Sequence, residues 1–297
     1  MELIHIKGGT WAADTKGLTI PFYKLNDRDI VMLDTGYARP QREAFAEFLP
    51  EHGLRPRGVI ISHTHRDHSG NAEYFKKLYG SLTAAGEYEA KVASDFNLCR
   101  PTYGSMTICE ADALRDFLYT TDVAIAPGQD RISFCGAEFG ILQLPGHTPG
   151  QIGTVTPDGV AYLADALMGE TMLEFAKLPT VDDHAEDRRT KESLRSLKYD
   201  KYVLAHKGVP DDLGALIDRN LAFLDERAEF LLGTLKDGMS FGEWEEAFYR
   251  AAGMRTTHPL LCGVYDRNFR SFTCWLADTG RVEIARINGV NHYTKNR

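Results

Sequence analysis

Residues 59–71, with the sequence VIISHTHRDHSGN, restrict the fold of this chain more than any other stretch. A short apolar run rich in β-branched residues ends at a polar block that holds His63, His65, Asp67 and His68. This pattern predicts a buried strand, a loop and then a helix, with the polar block at the carboxyl end of the strand. Imidazole and carboxylate groups bind divalent ions such as Zn²⁺. Four such groups exceed what one ion needs, so the block predicts a metal site.

Three later residues have the same relation to apolar segments. His147 lies in the sequence LPGHTPG, Asp165 follows the run VAYLA, and His206 follows the run YVLA. The Pro-Gly steps on both sides of His147 are typical of a fixed loop. Because sites gather at the carboxyl ends of strands, we expect these residues to lie beside the first block. We therefore interpret the seven residues as one dinuclear metal centre.

The seven candidate ligands divide between two ions. One ion would take the imidazole nitrogens of His63, His65 and His147. The other ion would take a mixed set from Asp67, His68 and His206. Asp165 would bridge, with one carboxylate oxygen for each ion. These donors favour zinc, and iron or manganese also fits them because the set contains no thiolate.

Asp34 is the predicted supporting residue of this centre. It ends the apolar run IVML and would accept a hydrogen bond from the ligand loop, which fixes the tautomer and orientation of a ligand. A water held between two cations is hydroxide near neutral pH, and the cations also polarise a carbonyl or phosphoryl oxygen. We therefore expect hydrolysis, with Asp67 and Asp165 orienting and bridging the hydroxide.

Up to residue 208 the chain alternates strand-like and helix-like segments in two rounds. The predicted strands are residues 3–7, 18–25, 29–34, 59–61, 82–85, 123–125, 132–134, 139–142, 152–156, 160–163 and 202–205. The predicted helices are residues 40–48, 72–78 and 185–197. Residues 86–120 are interpreted as a helical insertion over the site. The predicted secondary structure changes after residue 210, where helices at 213–235 and 241–252 precede a hairpin at 281–293.

The motif HTHRDH, followed in order by PGHTPG and the later aspartate and histidine, resembles the metallo-β-lactamase-fold hydrolases. Asp34 in the sequence DTG, on the strand before the first motif, matches as well. The resemblance covers residues 1–208, which form the predicted catalytic domain. It implies the α/β class and a four-layer αβ/βα sandwich of two sheets with helices outside. It also implies a two-metal site at one edge of the sandwich and hydrolysis by water.

Within that family the chain is more similar to the glyoxalase II and general hydrolase branch than to the true lactamases. Asp165 stands where zinc lactamases of the commonest class usually carry a cysteine. Residues 209–297, the predicted small and mainly helical C-terminal module, are similar to the winged-helix-like appendage of some members. Some members with that appendage cleave RNA.

Composition restricts the cellular location and the partners that we expect for this chain. The 297 residues carry a net charge of −8, which gives no overall electrostatic case for nucleic acid or an anionic membrane. No apolar run approaches the roughly 20 residues needed to cross a bilayer, and the Met1–Lys7 opening lacks the features of a signal peptide. The five cysteines show no CxxC pairing and are expected to be free thiols. We therefore expect a cytoplasmic protein without membrane contact.

The favoured function is a dinuclear hydrolase in which a bridging hydroxide cleaves a thioester, ester or lactone of a small anionic substrate. The alternative enzyme is a metal-dependent ribonuclease or phosphodiesterase. Its only support is the segment 250–297, where eight Lys and Arg stand against three Asp and Glu. An alternative of another class is a non-catalytic module that binds metal or nucleic acid. The substrate, the metal in the cell and the oligomeric state are not predicted.

Two further features have both a functional and a structural interpretation. His184 lies in the polar stretch TVDDH between two ligand strands; we favour a surface or packing role for it and give it as a candidate substrate contact. The aromatic and methionine residues of the 86–120 insertion would form either a substrate wall or the packing of the insertion.

Overall fold

Two β-sheets form the centre of the molecule. The computed structural model describes residues 1–15, 17–39, 41–104, 106–210 and 212–296. The first sheet has seven strands in chain order: β1 Glu2–Lys7, β2 Thr10–Asp14, β3 Thr19–Lys24, β4 Asp29–Leu33, β5 Arg55–Ile61, β6 Leu82–Gly86 and β7 Val123–Ile125. Strands β1 to β4 pair antiparallel, and β4 to β7 pair parallel.

The second sheet has five strands. They are β8 Arg131–Phe134, β9 Ala137–Gln143, β10 Ile152–Val155, β11 Val160–Tyr162 and β12 Lys201–Val203. Neighbours from β8 to β11 pair antiparallel, whereas β12 pairs parallel with β11. The parallel pairing places the carboxyl ends of β11 and β12 side by side.

Helices cover both sheets. They are α1 Gln41–Glu51, α2 Arg66–Ser69, α3 Ala72–Tyr79, α4 Glu87–Ser94, α5 Phe96–Cys99, α6 Glu170–Phe175, α7 His184–Ser193, α8 Leu213–Thr234, α9 Phe241–Ala251 and α10 Pro259–Asp278. Short 3₁₀ helices span Arg100–Tyr103, Asp112–Phe117 and Leu194–Ser196. None of the helices in the described ranges has the length and apolar character needed to cross a lipid bilayer.

Side-chain alternation along β4 shows how the layers form. Ile30 and Met32 point to one face of the first sheet and belong to a core shared with α1 and α3. Val31 and Leu33 point to the other face and pack between the two sheets. The outer face of the second sheet is covered by the start of α8, for example by Ile217. The order helix, sheet, sheet, helix confirms the predicted four-layer α/β fold.

The C-terminal region follows the order helix, strand, helix, helix, hairpin. After α8 and β13 (Met239–Ser240) come α9, α10 and the hairpin of β14 (Val282–Ile287) and β15 (Val290–Lys295). The residues at the hairpin tip, Asn288 and Gly289, both have positive φ, as a two-residue turn of this kind requires. This region shares a core with Leu178 and Val181 of the preceding part. The division at residues 208 and 209 stays a prediction.

Several elements are absent from the sequence-based assignment, among them the short α2 and β13. Strand β2 was not predicted, since Ala12 and Ala13 have low strand propensity, and its pairing with β1 and β3 forms it. Helices α6 and α10 were also not predicted. The 20-residue α10 contains Gly263, Asn268 and Thr273, which disfavour a helix locally, and is formed by burial of its phenylalanines. The predicted helix start at Pro40 lies outside the described residues.

The insertion at 86–120 is only partly α-helical. It contains α4, α5 and two of the 3₁₀ helices, and it has a small core of its own. Phe96 and Met106 belong to that core, whereas Tyr103 also reaches the candidate site. Packing therefore explains most of the aromatic set in this segment.

We predict that Phe269→Ala destabilises the protein by about 3–5 kcal/mol, the usual result of truncating a buried phenylalanine. Phe269 is fully buried and its ring lies within 5.6 Å, centroid to centroid, of the rings of Phe241, Trp244 and Phe248. Denaturant unfolding measures the change. Phe175→Ala is the matched control, because that side chain is 72% exposed. Equal stability of the two variants would contradict the described C-terminal core.

Candidate metal centre

The seven predicted ligands lie together at the carboxyl ends of strands from both sheets. The first block follows β5, and Asp165 and His206 follow the parallel strands β11 and β12. His147 lies in the loop between β9 and β10. One nitrogen or oxygen atom from each member of three groups approaches the others within 4.8 Å: His63, His65 and His147; His63, His68 and Asp165; Asp67, His68 and His206. The structure therefore brings together both predicted ligand sets and the predicted bridge.

The first set is a triangle of imidazole nitrogens. His63 Nε2 lies 2.9 Å from His65 Nδ1, and His147 Nε2 lies 3.2 Å and 3.0 Å from those two atoms. A tetrahedral zinc ion with Zn–N bonds near 2.0–2.1 Å separates its ligand nitrogens by about 3.3–3.4 Å. The triangle is only slightly tighter than that spacing.

The protonation state of His147 shows that its Nε2 atom is free to bind a metal ion. Its Nδ1 lies 2.8 Å from the carbonyl oxygen of Thr180, which can only accept, so Nδ1 carries the proton. Burial lowers the pKa of His147, and likewise those of His63 and His65, so the rings are neutral. The Nε2 lone pair of His147 therefore points at two other ring nitrogens. A cation satisfies three converging nitrogens better than hydrogen bonds among them do.

The second set is mixed, as predicted. Asp67 Oδ2 lies 3.2 Å from His206 Nε2 and 3.8 Å from His68 Nε2. His68 Nε2 is buried, and among the described residues it has no hydrogen-bond partner. An uncompensated buried polar atom is costly, and a metal ion would compensate it.

Asp165 lies between the two sets. Its Oδ2 is 3.4 Å from the Nε2 atoms of His147, His68 and His206, and 4.0 Å from Nε2 of His63. Oδ1 is buried and has no hydrogen-bond partner among the described residues. We expected one carboxylate oxygen for each ion. The distances instead place a single oxygen, Oδ2, next to both ligand sets.

Asp34 holds the ligand block from behind. Its Oδ2 accepts from His68 Nδ1 at 2.8 Å and from Ser62 Oγ at 2.7 Å, and its Oδ1 accepts from the Ser62 backbone N–H at 2.7 Å. Tyr162, on the second sheet, donates to Oδ2 at 2.6 Å. The hydrogen bond to His68 leaves its Nε2 for the metal side, which is the role expected of Asp34.

Charges in the second set favour ionised forms. Burial alone would lower the pKa of His206, but Asp165 and Asp67 outweigh it and raise the pKa to about 10. Burial likewise opposes the shift at His68, where Asp165, Asp67 and Asp34 raise the pKa. In the opposite sense, burial would raise the pKa of Asp67, but His68 and His206 lower it.

A cleft of about 400 Å³ opens onto these ligands. Basic side chains reach it from four places: Arg66 in α2, Lys177 after α6, Lys191 in α7 and Arg267 in α10. Lys191 is paired with Asp187. Tyr103 of the insertion lies beside His65, with ring centroids 5.9 Å apart, and its hydroxyl accepts from the Arg66 backbone N–H. Part of the insertion and part of the C-terminal region therefore border the site.

His184 does not lie with the other candidates. It is buried under α10, where its ring stacks on Trp275 and contacts Phe272, with centroids 5.0 Å and 4.0 Å apart. It does not line the cleft among the described residues. Burial, followed by the charges of Lys191 and Arg188, lowers the pKa of His184 to about 3. The structure therefore gives the suggested substrate contact no support and assigns the residue to packing.

Sequence reasoning missed Glu89, which connects the two ligand loops. Its Oε2 accepts from the backbone N–H of Thr64, between His63 and His65, at 2.7 Å. Its Oε1 accepts from Thr148 Oγ1, beside His147, at 2.7 Å. The carboxylate is fully enclosed, and burial raises its pKa against these hydrogen bonds. No local pattern marks such a residue, since a glutamate near a helix start is ordinary.

Known proteins with similar sequences include hydrolases. The profile of the Metallo-beta-lactamase superfamily matches residues 22–206. A hydroxyacylglutathione hydrolase of Pectobacterium carotovorum is 27% identical over 122 residues, 41% of this chain and 36% of that protein. One from Vibrio cholerae is 26% identical over 141 residues, 48% of this chain and 43% of that protein. The chain thus spans less than half the length of these curated relatives.

A solved structure shares the whole fold. The metallo-beta-lactamase family protein from Thermus thermophilus superposes with a TM-score of 0.73 at 16% identity. The match covers 97% of this chain and 99% of that one, so it includes the C-terminal helices.

We predict that Glu89→Gln weakens metal binding by 10- to 100-fold, the usual effect of removing a group that orients ligands. The amide nitrogen would face the backbone N–H of Thr64 or that of Gly150, so at least one of these two backbone contacts is lost. Competition with a chromophoric chelator measures the affinity. Glu87→Gln on the same helix is the matched control and should bind as wild type. Unchanged affinity in Glu89→Gln would show that the loops do not depend on this contact.

We predict that metal binding releases protons and tightens as pH rises. The raised pKa values mean that, after chelator treatment, His68 and His206 are protonated at neutral pH, and each must lose its proton to become a ligand. Titration calorimetry with Zn²⁺ in two buffers of different ionisation enthalpy counts the released protons. Identical heats in both buffers, or affinity independent of pH, would contradict these assignments.

Proposed function

The chain belongs to the metallo-beta-lactamase superfamily of metal-dependent hydrolases, and from that premise we propose that it uses two divalent ions to hydrolyse a thioester, ester or lactone. The observation that carries the proposal is the position of Asp165 Oδ2, near two imidazoles of each ligand set. One carboxylate oxygen so placed is suited to two ions that share it.

The donor set supports divalent ions that accept nitrogen and oxygen. His63, His65 and His147 would hold one ion, and Asp67, His68 and His206 the other, with Asp165 common to both. Zinc is the favoured ion, and iron or manganese fits the same donors because the set contains no thiolate. The buried atom His68 Nε2, which has no hydrogen-bond partner among the described residues, would gain one when an ion binds.

The ions would supply a water molecule of lowered pKa and positive charge for the oxygen of the scissile carbonyl. The chain's own part is orientation. The carboxylates of Asp67 and Asp165 face the same space and would accept hydrogen bonds from the attacking water, while Asp34 fixes the ring of His68. Water adds its oxygen to the acyl carbon, the C–S or C–O bond breaks, and the thiol or alcohol leaves with one of the protons of water.

The basic residues of the cleft support an anionic substrate. Among the described residues, Arg66 and Lys177 form no ion pair, so both are available to a ligand. Arg267 is engaged with Asp182 at 3.5 Å and with the carbonyl of Thr102. The relatives named hydroxyacylglutathione hydrolase support a thioester of an anionic thiol in particular.

The ribonuclease alternative has less support. Its argument was the basic excess of residues 250–297, but several of those charges are paired. Arg250 pairs with Glu246, Arg270 with Asp266 and Arg281 with Glu229. These side chains therefore favour a balanced surface over a groove for RNA.

We further propose that residues 1–208 form the catalytic domain and that residues 209–297 form an appendage that completes one side of the cleft. Leu261 and Arg267 of α10 line the cleft and support this division of roles. We also propose a cytoplasmic location, because all five cysteines are free.

We predict that Asp165→Ala abolishes turnover and weakens binding of both ions, because its carboxylate adjoins both ligand sets. The assay compares acyl-glutathione and acyl-coenzyme A thioesters, a lactone and single-stranded RNA, with and without EDTA, and metal content is measured on the same samples. Asp130→Ala is the matched control, since that carboxylate is 81% exposed and remote from the ligands.

Thioester or lactone turnover that disappears in EDTA and in Asp165→Ala is the expected outcome. Two bound ions and wild-type rate in Asp165→Ala would overturn the shared-ligand role. Cleavage of RNA alone would replace the proposed substrate class with the nucleic-acid alternative.

A further inference from the structure

Helix α10 presents an apolar stripe to the cleft that holds the metal ligands. Leu260, Leu261 and Val264 all line the cleft, at spacings that put them on one side of a helix. Leu260 also packs into the core of the 86–120 insertion, which fixes the helix there. Val264 packs against the same core, whereas Leu261 is only partly buried and belongs to no core cluster of the described residues, so its side chain remains available to a ligand.

A second part of the cleft lining is apolar too, and some of it is exposed to solvent. Met168, Met172 and Phe175, from α6 and the turn before it, line the same cleft. Phe175 is 72% exposed and Met172 36% exposed, although α6 is anchored by its buried Leu173. Large apolar side chains left in water beside a cleft mark a binding surface. Leu178 and Val181 also line the cleft, and they are buried in the core that they share with α10.

The available charges do not lie on the α10 stripe. Arg267, the only cation of α10 among the described residues that line the cleft, is already paired with Asp182. The free cations of the cleft belong to other elements, Arg66 in α2 and Lys177 after α6. A substrate group that lies against Leu261, Met172 and Phe175 therefore meets hydrocarbon, with Lys177 just beyond α6. A fully polar substrate would leave these apolar side chains without a partner.

We propose that the substrate carries an apolar acyl chain and that α10 and α6 bind this chain and select for its length. This inference rests on the proposed hydrolysis of an acyl bond and adds the class of acyl group. The scissile carbonyl would lie at the ligand cluster, with the chain along both apolar parts of the lining. Burial of each methylene should raise kcat/KM about four-fold, from the roughly 0.8 kcal/mol that one buried CH₂ contributes.

The test is a series of thioesters that share one thiol and differ only in a straight acyl chain of two, four, six or eight carbons. The metal-loaded, full-length protein is assayed, and the readout is kcat/KM for the eight-carbon chain divided by that for the two-carbon chain. The six added methylenes, at about four-fold each, should give a ratio on the order of a few thousand in the wild type. Leu261→Gln should lower it roughly tenfold, because a polar amide replaces apolar contact of about two methylenes.

Two further variants keep the result interpretable. Leu78→Gln on α3 removes an exposed leucine that does not line the cleft, and the ratio should stay at the wild-type value. Phe175→Gln alters a side chain too exposed to support the core, so it should fold even if Leu261→Gln does not, and it should lower the ratio several-fold.

The outcomes separate this inference from the proposed function. Metal-dependent turnover with a flat chain-length profile, or a ratio unchanged in both Leu261→Gln and Phe175→Gln, would overturn the apolar acyl site and leave the hydrolase intact. Failure to hydrolyse any thioester, ester or lactone with both ions bound would overturn the proposed function and this inference with it.

Discussion

The structure depends on bringing neutral imidazole nitrogens and ionised carboxylates together in a buried space. Three ring nitrogens lie within 3.2 Å of one another, and one oxygen of Asp165 lies within 4.0 Å of four imidazoles. Lone pairs that converge without enough protons between them are unfavourable in a medium of low dielectric. Divalent cations would remove this cost, which is the physical reason to expect a metal centre at these side chains. The fold must therefore supply enough packing and hydrogen bonding to hold the ligands in place.

Supporting contacts come from both sheets and from the insertion. Asp34, at the end of β4, receives hydrogen bonds from His68 in the ligand block and from Tyr162 in the second sheet, so one carboxylate links both sheets to the ligands. Glu89 performs the corresponding task for the loops of His63 and His147. Asp34 itself has a positive φ of 68°, a conformation that aspartate tolerates better than most residues. Hydrogen bonds of this kind, made to the ligands and to their loops, fix the orientation of the groups that bind a metal ion.

The clustering of the seven candidate ligands was predictable, because imidazole and carboxylate side chains stand in short motifs directly after apolar runs. Strand patterning then located them at strand ends, and the four-layer fold followed from the resemblance they carry. Helix α10 was not predictable, because Gly263 and Asn268 oppose helix locally and only burial of residues such as Phe269 and Phe272 stabilises it. Glu89 was missed for a related reason, since its role arises from contacts between segments far apart in the chain. The walls of the cleft, the contacts that support the ligands and the proposed substrate preference could therefore be described only from the structure.

The central claim is that this chain binds two ions that share Asp165. A crystal of zinc-loaded protein, with anomalous data collected at the zinc edge, tests it directly. The account predicts two peaks, one at the nitrogens of His63, His65 and His147 and one at Asp67, His68 and His206, with Asp165 between them. A single peak, or a second peak away from these side chains, would contradict the dinuclear centre.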